Sequence, residues 1–242
     1  MVGLSIRAEG AWAVADVLAR PRCESCGGSG WTVVPGPENW NRRCICQRAV
    51  RRAALWNAAH VPARHATASF ETWRRPTGKD PGAEVRTWAE ALEPMGIASG
   101  LLLVGDPGLG KTHLAVASIR HAVLERGFAA RFVDFGHLLH GMKGGTRAPG
   151  WSPTELALAP LLILDDVPPL TTDFERSLAD EMITRRYNAA GATIVTSNVR
   201  ADALDTLVGV RSASRLREMC REVLIRGIDN RARMTLLAGG RS

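Results

Sequence analysis

The 242-residue sequence lacks any apolar run of the roughly 20 residues that a bilayer-spanning helix needs. Its first twenty residues include Glu9 and Asp16 and have no apolar core, so they do not resemble a secretory signal peptide. Disulfides are not expected among the five cysteines, because disulfides are rare in the reducing interior of the cell. These absences predict a cytoplasmic protein with no membrane partner.

Tryptophan is missing from the last ninety residues, and acidic residues are fewer than basic ones in the chain as a whole. All seven tryptophans precede residue 152, which predicts two differently built parts. Lysine and arginine number 31 against 24 acidic residues, which gives a formal net charge of +7. The arginines concentrate in residues 42–52 and 211–233. A clustered basic excess favours nucleic acid, nucleotide or acidic partners.

Residues 101–112 combine a buried-strand pattern with a glycine-rich turn that fits the phosphate-binding loop G-x-x-x-x-G-K-[ST]. Glycines let backbone N–H groups turn toward a phosphate, and the following helix directs its positive end at the same anion. The lysine can reach the β- and γ-phosphates, and the threonine hydroxyl can bind Mg²⁺. The alternative is a glycine-rich turn without a ligand. The residues predicted to contact nucleotide are Gly105, Asp106, Pro107, Gly108, Leu109, Gly110, Lys111 and Thr112.

Polar residues follow two later apolar strands. Asp165 and Asp166 end one strand, and Asn198 ends the next. Ligands gather at the carboxyl ends of parallel strands, so Asp165 is predicted to hold Mg²⁺ together with Thr112. Asp166 is predicted to orient and deprotonate the attacking water, and Asn198 to hold that water. The alternative for the two aspartates is that they only cap the end of a strand. The alternative for Asn198 is that it only forms a turn.

Four of the five cysteines lie between residues 23 and 46, as a Cys-x-x-Cys pair and a Cys-x-Cys pair. Two close pairs separated by a short loop predict a structural zinc site that holds a segment too small to form its own core. The second pair has one spacer residue, so His60 or His65 could supply the fourth ligand. Disulfides or free thiols are the alternatives, and Cys220 is predicted to be a small core residue. The predicted zinc ligands are Cys23, Cys26, Cys44 and Cys46.

Hydrophobic periodicity predicts helices over 4–20, 47–60 and 82–95, with a linker over 61–80. From residue 100, strands alternate with helices, which is typical of a parallel sheet covered by helices. Predicted strands are 101–104, 130–135, 161–166 and 192–198; predicted helices are 112–126, 136–142, 174–188, 204–207 and 212–223.

The basic stretch 42–52 lies close in sequence to Trp31, Trp40 and Trp56. Arginines beside tryptophans can clamp single-stranded nucleic acid by stacking. The alternative is a solvated basic helix that leads into the next domain.

The order of these motifs resembles that of the AAA+ ATPases. Segments 105–112, 161–166, 196–198 and 214–216 follow the AAA+ order. Segments 61–70, 186–198 and 227–231 also resemble the branch that contains the DnaC and DnaI helicase loaders and the IstB transposition ATPases. The resemblance covers about residues 60–233, and the cysteine-rich front is similar to that of loaders and phage replication proteins.

The resemblance implies an α/β fold, a P-loop AAA+ parallel sheet covered by helices, with a small N-terminal zinc-binding module. It implies ATP and Mg²⁺ as cofactors beside Zn²⁺, Walker A at 105–112, Walker B at Asp165 and Asp166, and sensor 1 at Asn198. Arg215 would be the arginine finger that acts on ATP of a neighbouring subunit, and Arg231 a sensor-2-like arginine. Aspartate at position 166, where many AAA+ proteins have glutamate, implies slow hydrolysis.

The expected domains are a cysteine-rich, zinc-binding and helical module over 1–60, a linker and pre-core helix over 61–98, and an AAA+ ATPase core with a reduced lid over 99–242. The motif set favours an ATP-dependent loader that engages the replicative DNA helicase and single-stranded DNA and self-associates on ATP. An IstB-like transposition helper that binds duplex DNA is the alternative. A zinc-binding nucleic-acid adaptor with a vestigial ATPase is a third interpretation.

Overall fold

The structure is a computed structural model that describes residues 4–17, 23–74, 79–93, 99–143 and 153–227. Within these ranges no helix is long and apolar enough to cross a membrane. The strands are β1 (Leu4–Glu9), β2 (Trp12–Val17), β3 (Trp31–Val34), β4 (Trp40–Arg43), β5 (Gly100–Val104), β6 (Ala130–Asp134), β7 (Leu161–Asp165), β8 (Ala192–Ser197) and β9 (Cys220–Leu224). The helices are α1 (Cys46–Ala58), α2 (Pro81–Glu90), α3 (Lys111–Arg120), α4 (Phe135–Lys143), α5 (Pro153–Ala157), α6 (Asp173–Asn188), α7 (Leu204–Val208) and α8 (Val210–Met219). A π-helical turn, His121–Arg126, extends α3.

The centre of the fold is a parallel five-stranded sheet in the order β6-β7-β8-β5-β9. Strands β5, β7 and β8 are buried along their whole length, because helices cover both faces of the sheet. Strand β8 is inserted between β5 and β7, and pairs Ile194 with both Leu101 and Ile163. The residues that follow these three strands therefore meet at one edge of the sheet.

Two apolar cores lie on opposite faces of this sheet, because successive side chains of a strand point to opposite sides. Leu101 and Leu103 of β5 belong to the core that contains α3 and Trp56. Leu102 of β5 belongs to the other core, which α6 and α8 cover. The β5 side chains are thus packed on both faces of the sheet. This packing fixes the position at which the loop after β5 begins.

The prediction of a helix over 4–20 is wrong, because residues 4–17 form the antiparallel hairpin β1–β2. The turn has Gly10 at φ +56°, a conformation that glycine adopts without strain, and it pairs Glu9 with Trp12. Ala13 and Ala15 alternate into the core, and Trp56 donates from Nε1 to the Ala13 carbonyl at 2.9 Å. Residues 18–20 lie outside the described ranges.

The stretch predicted as a linker packs on the core as far as Trp73. The carbonyl of Val61, a buried residue, accepts a hydrogen bond from the Ala13 N–H at 2.8 Å. Arg120 of α3 donates from Nε to the Ala68 carbonyl at 2.8 Å. Residues 61–73 therefore contact both the hairpin β1–β2, which precedes them, and α3, which follows them. These contacts hold the stretch against the core, so it is not a free linker.

The predicted helix over 212–223 is correct only as far as Met219. Residues 220–224 form β9, a fifth sheet strand that pairs with β5 on the side away from β8. Gly100 permits the approach, because a Cβ there would lie 2.7 Å from the Cys220 Sγ. Cys220 is buried, as predicted for a core cysteine.

Candidate nucleotide site and cysteine cluster

A cleft of about 400 Å³ opens at the carboxyl edge of the sheet, beside the glycine-rich loop. This volume lies within the range of small-molecule sites in proteins. Gly105, Asp106 and Leu109 are not part of its wall. The sequence-predicted residues that line it are Pro107, Gly108, Gly110, Lys111, Thr112, Asp165, Asp166 and Asn198.

The loop between β5 and α3 needs glycine at two close approaches. A Cβ on Gly105 would collide with the Ile225 carbonyl oxygen at the end of β9. Gly110 has a φ of +88°, and a Cβ there would lie 2.6 Å from the ring of Trp73. No described side chain caps the N-terminus of α3, so its first N–H groups are available to an anion.

Lys111 is buried and reaches across the loop. Its Nζ donates to the carbonyls of Gly105 at 2.6 Å and Asp106 at 2.9 Å, and to the Asn198 Oδ1 at 2.7 Å. The loop carbonyls thus hold the ammonium group beside the end of β8. A phosphate in the cleft would meet this ammonium group in place.

Asp165 is 7% exposed and is surrounded by hydroxyl groups. Thr112 donates to its Oδ1 and Oδ2 at 3.0 and 3.1 Å, and Thr196 donates to Oδ1 at 2.8 Å. Burial raises the pKa of Asp165 to about 6, against these hydrogen bonds and with repulsion from Asp166 and Asp134. Hydroxyl and carboxylate oxygens are the ligands that Mg²⁺ prefers, so Thr112 and Asp165 fit the predicted cation.

Asp166 and Asn198 face each other across the ends of β7 and β8. Asp166 has a φ of +52°, and its N–H donates to the Thr196 Oγ1 at 2.8 Å. The Asn198 Nδ2 lies 3.4 Å from the Asp166 Oδ1, while its Oδ1 accepts from Lys111. Asn198 therefore connects the phosphate-loop lysine to the second carboxylate.

Residues 62–73 supply a wall of the cleft that the sequence analysis did not assign to the site. Arg64 and His65 line the cleft, and Trp73 covers Gly110. His113 of α3 ties this wall to the loop, since its Nε2 lies 2.8 Å from the Ser69 carbonyl oxygen. The similarity of segment 61–70 to the loader branch was the signal that could have identified this wall.

Arg215 does not line the described cleft. Its Nη1 donates to the Asp180 Oδ1 at 2.9 Å, and Ser212 donates to the same oxygen at 3.0 Å. The guanidinium is thus fixed on the surface of α8, facing α6. Arg231 lies outside the described residues.

The four cysteines of the front segment converge into one cluster. Their sulfur atoms all lie within 4.8 Å of one another, and the Cys23–Cys44 and Cys26–Cys46 separations are 3.6 and 3.7 Å. A tetrahedral zinc site with Zn–S bonds of about 2.3 Å has S···S edges of about 3.8 Å, whereas a disulfide is about 2.05 Å long. The cluster therefore has the dimensions of a zinc site.

The environment of the cluster also suits a cation. Burial opposes ionisation of Cys26, but N–H groups of Gly30 and Gly28 lower its pKa to about 6. Burial and the hydrogen bonds of neighbouring thiols raise the pKa of Cys46 to about 12, and repulsion from Cys23 adds to this rise. A divalent metal bound to the four sulfur atoms would offset the repulsion between thiolates.

The two histidines considered as the fourth ligand lie elsewhere. His60 packs edge-on against Trp12, and His65 lines the nucleotide cleft. The geometry favours Cys46 over either histidine.

Insertion of β8 between the loop strand and the carboxylate strand, with an asparagine at its end, is the sheet arrangement of the AAA+ class. The chain is a P-loop ATP-binding protein of this class. A family model described as IstB-like ATP binding protein matches residues 42–226, and the chain belongs to this family.

Similar proteins agree with this assignment. The replicative helicase loader DnaC of Escherichia coli (strain K12) is 25% identical over 177 residues, which cover 70% of this chain and 71% of that protein. A crystal structure of the DnaC helicase loader superposes with a TM-score of 0.60 at 28% identity, and covers 67% of this chain and 99% of that one. A crystal structure of DnaI superposes with a TM-score of 0.58 at 21% identity, and covers 70% of this chain and 93% of that one. This likeness supports a shared fold and no more.

Proposed function

We propose that this protein is an ATP-dependent loader of a replicative DNA helicase, acting in DNA replication. The observation that carries the proposal is the similarity to the replicative helicase loader DnaC, 25% identical over 177 residues. The assembled cleft supports it, because a loader driven by ATP needs the loop, both carboxylates and the bridging asparagine together.

Nucleotide binding is assigned to the loop and its lysine. The family is described as ATP-binding, and in this proposal the protein hydrolyses ATP with Mg²⁺. Lys111 would exchange its carbonyl partners for phosphate oxygens, and the N–H groups at the start of α3 would donate to the remaining phosphate oxygens. Thr112 and Asp165 would hold Mg²⁺, which supplies charge neutralisation on the phosphates when bound.

Hydrolysis is assigned to three side chains. Asp166 would take the proton of the attacking water, and Asn198 would orient that water from the end of β8. Arg215 lies outside its own cleft, so it would complete the cleft of a neighbouring subunit and neutralise transition-state charge there. ATP would therefore be turned over in a self-associated oligomer. The aspartate side chain at position 166 is shorter than the glutamate of many AAA+ proteins, which favours slow ATP turnover. Arg231 is proposed to sense the bound nucleotide.

The front of the chain is assigned to partner engagement. In this proposal residues 1–60 form the zinc-bearing module, with Cys23, Cys26, Cys44 and Cys46 as ligands, and this module grips the helicase or DNA. Residues 61–98 connect it to a core over 99–242 that binds single-stranded DNA and self-associates.

The alternative function is that of a transposition helper ATPase that binds duplex DNA. The observation that favours it is the matched family itself, which is described as IstB-like. A strong preference for duplex over single-stranded DNA, without a helicase complex, would move the assignment to this alternative.

The deciding experiment is the mass of the complex that the full chain forms with the replicative helicase of its own host, in ATP and Mg²⁺. A defined complex that requires ATP supports the loader. Lys111→Ala is expected to lose ATP binding and the complex, whereas Lys79→Ala, an exposed lysine paired with Glu84, keeps both. Normal ATP binding by Lys111→Ala would contradict the site, and no complex with wild type would contradict the loader.

A further inference from the structure

We propose that the hairpin β3–β4 is a binding site for single-stranded nucleic acid, with Trp31 and Trp40 as stacking platforms. The site lies between the two cysteine pairs and apart from the nucleotide cleft. The inference rests on the proposed function and deepens it, because it names single-stranded nucleic acid as the ligand of this part of the zinc-bearing module. Binding here requires neither ATP nor a helicase.

The pairing of the hairpin places one tryptophan and one arginine on each of its faces. Trp31 lies directly opposite Arg43, so these side chains share a face. Trp40 and Arg42 share the other face, because residues two apart on a strand point the same way. Each face therefore combines an aromatic surface for a base with a cation for a phosphate.

Both tryptophans are accessible. Trp31 is 50% exposed and Trp40 is 56% exposed, whereas Trp56 in the core is completely buried. The Arg43 guanidinium carbon lies 5.7 Å from the centroid of the Trp31 ring, a cation–π contact that positions the ring on the hairpin. Half-exposed tryptophans held beside cations are the groups on which unpaired bases stack.

The charge around the hairpin suits a polyanion. Residues 23–52 contain five arginines and two glutamates. Arg42, Arg43, Arg48 and Arg51 form no ion pair with any acidic residue in the described part of the chain. Their charges are therefore available to backbone phosphates, which an unpaired strand presents together with its bases.

The cysteine cluster fixes the open end of the hairpin, where β3 begins and β4 ends. The Cys44 N–H donates to the Gly30 carbonyl at 2.8 Å, and the Gly30 N–H donates to the Cys26 Sγ at 3.3 Å. This anchoring presents the two rings on a preorganised support rather than on a loop, which lowers the entropic cost of binding. Duplex DNA keeps its base faces stacked, so the arrangement favours single strands.

The test uses the zinc-loaded full chain and a fluorescein-labelled oligothymidine of about 16 nucleotides, without ATP. Fluorescence anisotropy gives the affinity. Trp31→Ala and Trp40→Ala together are expected to weaken binding about 25-fold or more, since each stacking platform contributes about 5-fold or more. Phenylalanine at both positions keeps an aromatic face and most of the affinity. The matched control is Trp12→Ala, a tryptophan that is 43% exposed on the other hairpin, which leaves binding unchanged.

The arginines have a separate signature. Replacing Arg42 and Arg43 with glutamine is expected to lower the slope of log affinity against log salt by about 1.4, or about 0.7 for each phosphate that is no longer neutralised. Lysine at both positions keeps the slope. Zinc content and circular dichroism confirm that each variant retains the module.

Three outcomes would overturn the site: no binding by wild type, unchanged binding by the double alanine variant, or equal affinity for duplex and single strand. A double alanine variant that binds the oligonucleotide normally but loses the helicase complex would make the hairpin a protein-docking surface instead. Lys111→Ala is expected to keep oligonucleotide binding, so failure of the ATP-dependent function and failure of this site are distinguishable.

Discussion

Replacing Asp165 with asparagine is expected to stabilise the nucleotide-free protein at neutral pH while abolishing magnesium-dependent nucleotide binding. Burial raises the pKa of Asp165 from an unfolded value of 3.8 to about 6. Because the folded-state pKa is the higher one, the unfolded chain ionises first as the pH rises. The folded state therefore loses stability from about pH 4 to pH 6 and stays weakened above that range.

The size of the effect follows from the two pKa values. Their separation corresponds to about 3 kcal/mol of unfolding free energy at pH 8, of which about 1 kcal/mol develops between pH 5 and pH 8. Asparagine does not titrate, and its Oδ1 can still accept the hydrogen bonds from Thr112 and Thr196. The stability of Asp165→Asn relative to wild type is therefore expected to increase by about 1 kcal/mol across this pH range.

Urea unfolding, followed by tryptophan fluorescence at pH 5 and pH 8 without magnesium, measures this difference. Asp173→Asn is the matched control, because Asp173 is exposed in the first turn of α6 and does not line the cleft, so its replacement leaves the difference unchanged. Adding Mg²⁺ with a non-hydrolysable ATP analogue is expected to raise the melting temperature of wild type but not of Asp165→Asn. A stability difference that stays constant or shrinks from pH 5 to pH 8 would refute the reasoning.

Three other expectations concern separate parts of the molecule. Arg215→Ala is expected to bind ATP normally but to lose turnover in the oligomer, and mixing it with Lys111→Ala should restore turnover; a mixture that stays inactive would argue against an arginine that acts between subunits. Cys46→Ser is expected to lose the bound zinc while Cys220→Ala retains it, as measured by metal analysis, and full zinc content in Cys46→Ser would rule out the four-cysteine site. Trp56→Ala is expected to lower the unfolding free energy by about 3–5 kcal/mol, because the ring is completely buried and donates to Ala13; a loss under about 1 kcal/mol in urea unfolding would contradict that packing.

The parallel core was predictable because its physical signals are strong. Strands β5, β7 and β8 are covered on both faces, so they are continuous apolar runs, and polar residues mark their ends. The loop motif gave the position of the lysine, and strand ends meeting at one edge gave the carboxylates. The bond from Lys111 to Asn198 was not predictable, because it depends on β8 lying between β5 and β7.

The errors come from short elements whose apolar pattern fits more than one structure. In residues 11–18, Ala11, Val14 and Val17 satisfy helical spacing, while the buried Ala13 and Ala15 satisfy strand spacing. Alanine is weakly hydrophobic, so the pattern does not separate the two. Only the pairing across Gly10 and the packing on α1 decide for a hairpin.

Strand β9 was missed for a different reason. Its five residues follow α8 directly, and only two of them, Cys220 and Val223, are buried. A helical pattern continues through such a stretch without a break. Residues 220–224 become a strand because they can pair with the edge of β5 that β8 leaves unpaired. A single sequence does not show that this edge is available.

The order of the sheet governs when the protein becomes competent to bind nucleotide during its synthesis. Strand β5 is the first strand of the sheet to be synthesised, yet its partners in the sheet are β8 and β9. Leu101 can pair only after Ile194 and Arg221 have been added to the chain. The Ile225 carbonyl that abuts Gly105 arrives later still. Such distant pairings form slowly, because the intervening chain must be ordered first. A nascent chain therefore carries the complete loop sequence long before the loop is folded, and ATP can stabilise only a molecule in which β8 and β9 have paired with β5.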